Sequence, residues 1–162
     1  MKKNLYIMVG MPGSGKSYWL KENAWPQSVV SRDKIRFSML KEGEDYFEHE
    51  SEAYREFVKQ IQEKLDGDFG RVYADATHIS WASRRKLLNR LNLEGVKVHI
   101  ILIKTGLKEC KYNNSLREGK ECVDDSVIED FYNWFEDPKL DRYDYESITE
   151  VRYRVRRDED GR

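Results

Sequence analysis

The chain has 162 residues, enough for one domain with a substantial buried core, and its 39% hydrophobic and 12% aromatic content sets it apart from disordered chains. A formal net charge of −1 argues against a non-specific nucleic-acid coat, which needs a strong basic excess, but leaves room for a local basic groove. No apolar run approaches a membrane span, the first ten residues lack a signal peptide's apolar length, and the two cysteines, Cys110 and Cys122, form no Cys-x-x-Cys pair. The expectation is a cytoplasmic protein without membrane association or a structural zinc site.

In chain order, Leu5 to Val9 is an uninterrupted apolar run, the pattern of a strand buried on both faces. Gly10 to Gly15 forms a turn, and Lys16 to Glu22 opens a helix. Ser28 to Ser31 is a short strand, and Asp33 to Leu40 reads as helical. Phe47 to Leu65 is a longer helix, with Phe47, Tyr54, Phe57, Val58, Ile61 and Leu65 near helical spacing. Arg71 to Asp75 is a strand. Ser80 caps a helix that runs to about Leu93 and is closed by Gly95. Val96 to Lys104 is the longest β-branched run. Helices follow at Leu107–Arg117 and Ser126–Phe135, with Pro138 closing the second, and Ile148 to Val155 is the last strand. Strands alternating with helices predict a parallel sheet with crossover helices. Residues 156–162 read as a charged tail.

The strongest motif is Gly10-Met11-Pro12-Gly13-Ser14-Gly15-Lys16-Ser17, which matches G-x-x-x-x-G-K-[ST] between a strand and a helix. Glycines let successive backbone N–H groups converge on one anion, and the following helix adds the positive end of its dipole. Lys16 can span the β- and γ-phosphates, and Ser17 can offer a hydroxyl to Mg²⁺. The residues therefore predict binding of ATP or another nucleoside triphosphate with magnesium. No Asn-Lys-x-Asp base-reading motif of a GTPase is present.

Asp33 and Arg36 sit three residues apart in Ser31-Arg32-Asp33-Lys34-Ile35-Arg36, on one helical face just after the second strand. Two readings fit: a carboxylate that takes a proton from an attacking hydroxyl beside a guanidinium that holds a phosphate, or an N-cap aspartate with a solvated arginine. Asp75, in Asp75-Ala76-Thr77-His78, closes the third strand and can hold a magnesium-bound water or cap a turn. His49, His78 and His99 read as structural or incidental. Arg84-Arg85 fits either a nucleic-acid contact or a solvated helix surface.

The succession Gly-x-Pro-Gly-Ser-Gly-Lys-Ser, Ser-Arg-Asp-x-x-Arg, Asp-Ala-Thr resembles the phage-type polynucleotide 5′-hydroxyl kinase family, the kinase module of end-healing enzymes, from about Leu5 to Pro138. The resemblance implies a three-layer P-loop NTPase fold with a mostly parallel sheet and a helical lid. One domain over 1–155 would carry the lid at about 105–123. It implies transfer of the ATP γ-phosphate to a 5′-OH end of DNA or RNA. Asp33 matches the general base, Arg36 the arginine on the acceptor's phosphate, and Lys16 and Ser17 the phosphate and metal residues. In the lid, Asn114 and Arg117 match the last two of Arg-Asn-x-x-Arg, with Asn113 where the first arginine stands; Lys111 or Lys120 would then compensate. A P-loop kinase acting on a sugar, nucleoside or antibiotic is the alternative. The two thiols flanking the lid are expected to be buried or half-buried.

Overall fold

In the computed structural model, which describes residues 2–153, five strands form one parallel sheet in the order β2-β3-β1-β4-β5. They are β1 (Lys3–Val9), β2 (Val29–Ser31), β3 (Arg71–Asp75), β4 (Val96–Lys104) and β5 (Ser147–Arg152). The helices are α1 (Lys16–Asn23), α2 (Arg32–Met39), α3 (Glu50–Asp66), α4 (Trp81–Arg90), α5 (Leu107–Ser115) and α6 (Asp125–Trp134). The register pairs Ile7 with Ala74 on one side of β1 and with Ile100 on the other, so the central strand is buried at both edges and on both faces.

Alternation along the strands divides the core into two layers. Leu5, Ile7 and Val9 of β1 and Val98, Ile100 and Leu102 of β4 face α3 and α4, packing on Phe57, Ile61 and Leu87. Met8, Ile101 and Ile103 face the other way, onto Leu20 and Trp19 of α1. Helices therefore cover both faces, as the sequence pattern predicts. A third cluster joins Met11 of the phosphate loop to Cys110 of α5 and Ile128 of α6. That cluster seats α5 and α6 on the carboxyl edge of the sheet.

Several boundaries differ from the sequence reading. α3 starts at Glu50, and Phe47 lies outside it with 62% of its surface exposed. The reason is a succession of turns: Glu44 N–H donates to Lys41 O, Glu48 N–H to Asp45 O, and Gly43 adopts φ 82°. The periodicity that admits Phe47 counts spacing alone and misses these local bonds. α4 ends at Arg90, short of Leu93. α5 stops at Ser115, where Leu116 and Arg117 N–H turn to the carbonyls three residues back (Asn113 and Asn114, 3.2 and 3.0 Å), while the Asn114 side chain bonds the Val123 backbone at 2.6 and 3.0 Å. β5 ends at Arg152, and Pro138 opens a short 3-10 turn well after α6 has ended. The predicted tail at 156–162 lies outside the described residues.

Arg84 belongs to neither of the surfaces the sequence allowed. It is fully buried, bonding Asp141 through Nε and Nη2 (2.6 and 2.8 Å) and the carbonyls of His78 and Glu136 (2.7 and 2.9 Å). A buried guanidinium is tolerated only when its donors are satisfied, and here carboxylate and carbonyls satisfy them. Neighbouring Arg85 is exposed. His78 is structural: its buried ring bonds Met8 O at 2.9 Å, and its backbone takes φ 44°. The cysteines part company, with Cys110 buried and Cys122 exposed. Cys122 follows a 3-10 turn on the loop between α5 and α6, where no packed neighbour covers it.

Candidate active site

The phosphate loop leaves the carboxyl end of β1, the edge where parallel α/β sheets bind ligands. Gly10 N–H donates to Thr77 O at 2.9 Å, tying the loop's start to the segment after β3. Gly13 and Gly15 take φ 78° and 103°, conformations that side chains rarely adopt. Space excludes side chains too: a Cβ on Gly13 would stand 2.4 Å from Cys110 O, and one on Gly15 would stand 2.8 Å from the Tyr153 ring. Thr105 Oγ1, just past β4, donates to Ser14 O at 2.5 Å. Asn113 Nδ2, on α5, donates to Gly13 O at 2.8 Å. The loop is thus held by strand ends on one side and by the lid helix on the other.

Lys16 Nζ donates to Gly10 O and Met11 O at 2.9 and 3.0 Å, curling back over the loop. Burial lowers its pKa; Asp75 and Asp33 pull it up, and Arg117 pushes it further down. Asp75, at the end of β3, has its pKa raised by burial against the pull of Lys16, Lys34 and Arg117. The fold therefore gathers Lys16, Asp33, Asp75 and Arg117 within electrostatic range of one another, although they come from four separate elements. Ser17 lies exposed in the first turn of α1, and the partly buried Arg117 follows the end of α5.

Asp33 is not a cap. Ser31 caps α2, its hydroxyl accepting from Lys34 N at 3.3 Å, which leaves the Asp33 carboxylate free for another role. Its side chain is 60% exposed, and Oδ1 accepts from Arg36 Nη1 at 2.6 Å and from the Tyr46 hydroxyl at 2.8 Å. Oδ2 has no partner among the described residues. Arg36 is buried, and its fork also grips Glu50 at 2.7–2.9 Å and Tyr46 at 2.5 Å, with its charge over the Tyr46 ring. Burial works against that charge, but Tyr46, Glu50 and Asp33 more than offset it, and its pKa is raised. Burial and the Asp33 carboxylate push the Tyr46 hydroxyl up, so it stays protonated and donates.

The sequence reading singles out Asp33, Lys16, Asp75 and Arg117, which the fold brings near one another, but not Tyr46, Glu50 and Thr105, which brace them. No local motif marks these three, because they act across gaps of 13, 14 and 91 residues. Lys111 is paired with Glu129 of α6, so its charge is engaged there. The Lys120 side chain lies outside the described residues.

The residues present fit a nucleoside triphosphate. Ser14 Oγ is buried within the loop with no hydrogen-bond partner among the described residues, next to glycines whose Cβ positions are blocked. Ser17 and Asp75 supply the hydroxyl and carboxylate oxygens that Mg²⁺ prefers. A cavity of about 590 Å³ opens near Trp25, Phe69 and Arg71, at the amino ends of the strands and away from this chemistry.

The parallel 2-3-1-4-5 sheet, with the phosphate loop at its carboxyl edge and helices on both faces, is the P-loop fold, shared with solved kinase structures. The chain belongs to the AAA domain family, whose profile matches residues 5–138. It is similar to a chain of the Pnkp1/Rnl/Hen1 RNA repair complex, at 20% identity and a TM-score of 0.68, covering 82% of this chain and 43% of that one. The chain thus spans less than half the length of that relative. It is also similar to a sugar kinase from Janibacter sp. HTCC2649 (16% identity, TM-score 0.59, 94% and 86% covered). A third likeness is to Chaetomium thermophilum Kti12 in complex with ADP-AlF3 (16% identity, TM-score 0.58, 97% and 92% covered). No curated protein matches. No helix among the described residues is long and apolar enough to cross a membrane.

Proposed function

We propose that this chain is a polynucleotide 5′-hydroxyl kinase that moves the γ-phosphate of ATP to a 5′-OH end of DNA or RNA. One observation carries the reading: an exposed carboxylate, Asp33, is clamped on one oxygen and open on the other among the described residues, within electrostatic range of the phosphate-loop lysine. The resemblance of Ser31-Arg32-Asp33-Lys34-Ile35-Arg36 to the family's base motif and the likeness to a chain of an RNA repair complex support it.

Gly10 to Ser17 cradle the triphosphate, with loop N–H groups and Lys16 on its oxygens. The acceptor's 5′-oxygen attacks the γ-phosphorus in line, while Asp33 Oδ2 takes the hydroxyl proton. A new P–O bond forms as the bond to the bridging oxygen breaks, and ADP leaves with that electron pair. Arg117 on the lid and Lys16 stabilise the charge spread over the equatorial oxygens. Ser17, and Asp75 through a water, would hold Mg²⁺, which when bound neutralises charge across the β- and γ-phosphates. Arg36 keeps Asp33 in place; buried and bonded to Glu50, Asp33 and Tyr46, it acts as a positioning residue rather than as the contact to the acceptor's phosphate that the resemblance implies.

Labelled ATP offered with a 5′-OH oligonucleotide tests the reading, and transfer of label to the oligonucleotide is the expected result. A folded protein that labels none, across magnesium concentrations and pH, overturns it. A small-molecule acceptor is the second reading, favoured by the near-complete mutual coverage with a sugar kinase. Transfer to a polyol or nucleoside in preference to the oligonucleotide would establish it.

A further inference from the structure

We propose that the exposed face of α4 is the track along which an acceptor polynucleotide lays its internal phosphates; this rests on the polynucleotide reading above. Although the chain's net charge is −1, its positive charge is segregated. α4 contains no acidic residue, and Arg85, Lys86 and Arg90 are exposed on it. None of the three has a carboxylate partner among the described residues, whereas buried Arg84 does. With Trp81 and Asn89 they line a groove of about 460 Å³.

Charges gather here more closely than solvation alone requires. Lys86 Nζ lies 4.2 Å, Arg32 Cζ 5.0 Å and Arg90 Cζ 5.3 Å from the centre of the buried Tyr54 ring. The ring face attracts each cation, but the cations repel one another, and an anion among them would relieve that. The Tyr54 hydroxyl and Arg32 Nε are buried with no hydrogen-bond partner among the described residues. Arg32 and Arg90 both act on that hydroxyl, opposing the upward push of burial on its pKa. Arg32's remaining contact is the Glu50 carboxylate shared with Arg36. A phosphate laid on the exposed face would neutralise the cations around the ring, while the Tyr54 hydroxyl and Arg32 Nε stay beneath the surface.

The cluster continues directly from the candidate base. Arg32 precedes Asp33 on α2, and α4 begins six residues after Asp75, at the carboxyl edge. α4 then runs back along the sheet for about 15 Å, several phosphate spacings. On the other approach, the segment joining α2 and α3 carries Glu42, Glu44, Asp45 and Glu48. A polyanion nearing Asp33 is repelled there and drawn onto α4. Half-buried Trp81 offers a ring for a base at the site end of the track.

The test compares a single-stranded 20-mer with a dinucleotide too short to reach Arg90, using wild type, the triple variant R85A/K86A/R90A, and R85E, which leaves the Tyr54 ring contacts intact. In the triple variant KM for the 20-mer is expected to rise roughly tenfold, and the log–log salt slope of 20-mer binding to flatten by about two. R85E shifts both in the same direction, and KM for ATP stays within twofold. The proposal is overturned if both variants, folded by circular dichroism, bind the 20-mer like wild type. It also falls if wild type phosphorylates the dinucleotide and the 20-mer with equal KM, an outcome that leaves the kinase reading standing. Failure of wild type to phosphorylate any nucleotide acceptor removes both.

Discussion

Asn113 Nδ2 donates to Gly13 O across 2.8 Å, joining the lid helix to the middle of the phosphate loop. Where the resembling family carries an arginine, this chain carries an amide that bonds the loop itself. α5 is therefore anchored to the phosphate loop through Asn113, and in the proposed mechanism Arg117, beyond the helix end, reaches the transferring phosphoryl. Asn113→Ala removes one hydrogen bond, worth about 1 kcal/mol, and frees the Gly13 carbonyl. KM for ATP should rise about fivefold with a smaller change in kcat, measured by steady-state kinetics. An unchanged KM would show that the contact does not organise the loop.

Asp33→Asn keeps shape and most hydrogen bonding but cannot take the acceptor's proton. kcat is expected to fall about a hundredfold to ten-thousandfold, with ATP affinity by calorimetry held within about twofold. Tyr46→Phe gives a milder version of the same loss, because the phenol donates to Asp33 Oδ1 without touching the reaction. A D33N enzyme of wild-type activity would move the base elsewhere.

Arg84 and Asp141 are the chain's most deeply buried ion pair among those described, with side-chain exposures of 0% and 2%. Arg84→Met strands a carboxylate in the core and should cost about 3–5 kcal/mol in urea unfolding. Adding Asp141→Leu should recover much of that loss, since an apolar pair of similar volume needs no charge compensation. If the double variant is no better than the single, the pair's other bonds, to His78 O and Glu136 O, dominate instead.

Burial holds the His78 pKa down to about 4, below its ordinary value of 6.5. Above pH 6.5 the imidazole is neutral in both folded and unfolded chains, and the stability is complete. As pH falls from about 6.5 to about 4, the unfolded chain binds a proton that the folded one refuses, so stability drops by about 3 kcal/mol and the effect levels off below 4. His78→Asn suits the left-handed φ of 44° and does not titrate. Subtracting its pH–stability curve from that of wild type should isolate this limb; parallel curves would show that His78 is not its source.

The P-loop with its Lys16 and the order of strands and helices were legible in the residues, whereas Asp33, Asp75 and Arg117 were singled out with alternative readings open or through a family resemblance. The loop and the elements are written locally: apolar runs of period two or 3.6, glycines at positions of positive φ, a lysine and serine at a helix start. The supports of the site were not legible. Phe47 has the right spacing for α3 yet stands outside it, because neighbouring turns take up the backbone bonds that the helix would need. Arg84 reads as a surface cation, but Asp141, 57 residues on, turns it into a core residue. Tyr46 and Glu50 hold the Asp33–Arg36 pair through a loop whose path no motif encodes. Hydrophobic period and turn chemistry are properties of a few adjacent residues, so the sequence by itself determined the elements and the phosphate cradle. Which polar groups meet across the core depends on how those elements pack, and only the tertiary structure decided that.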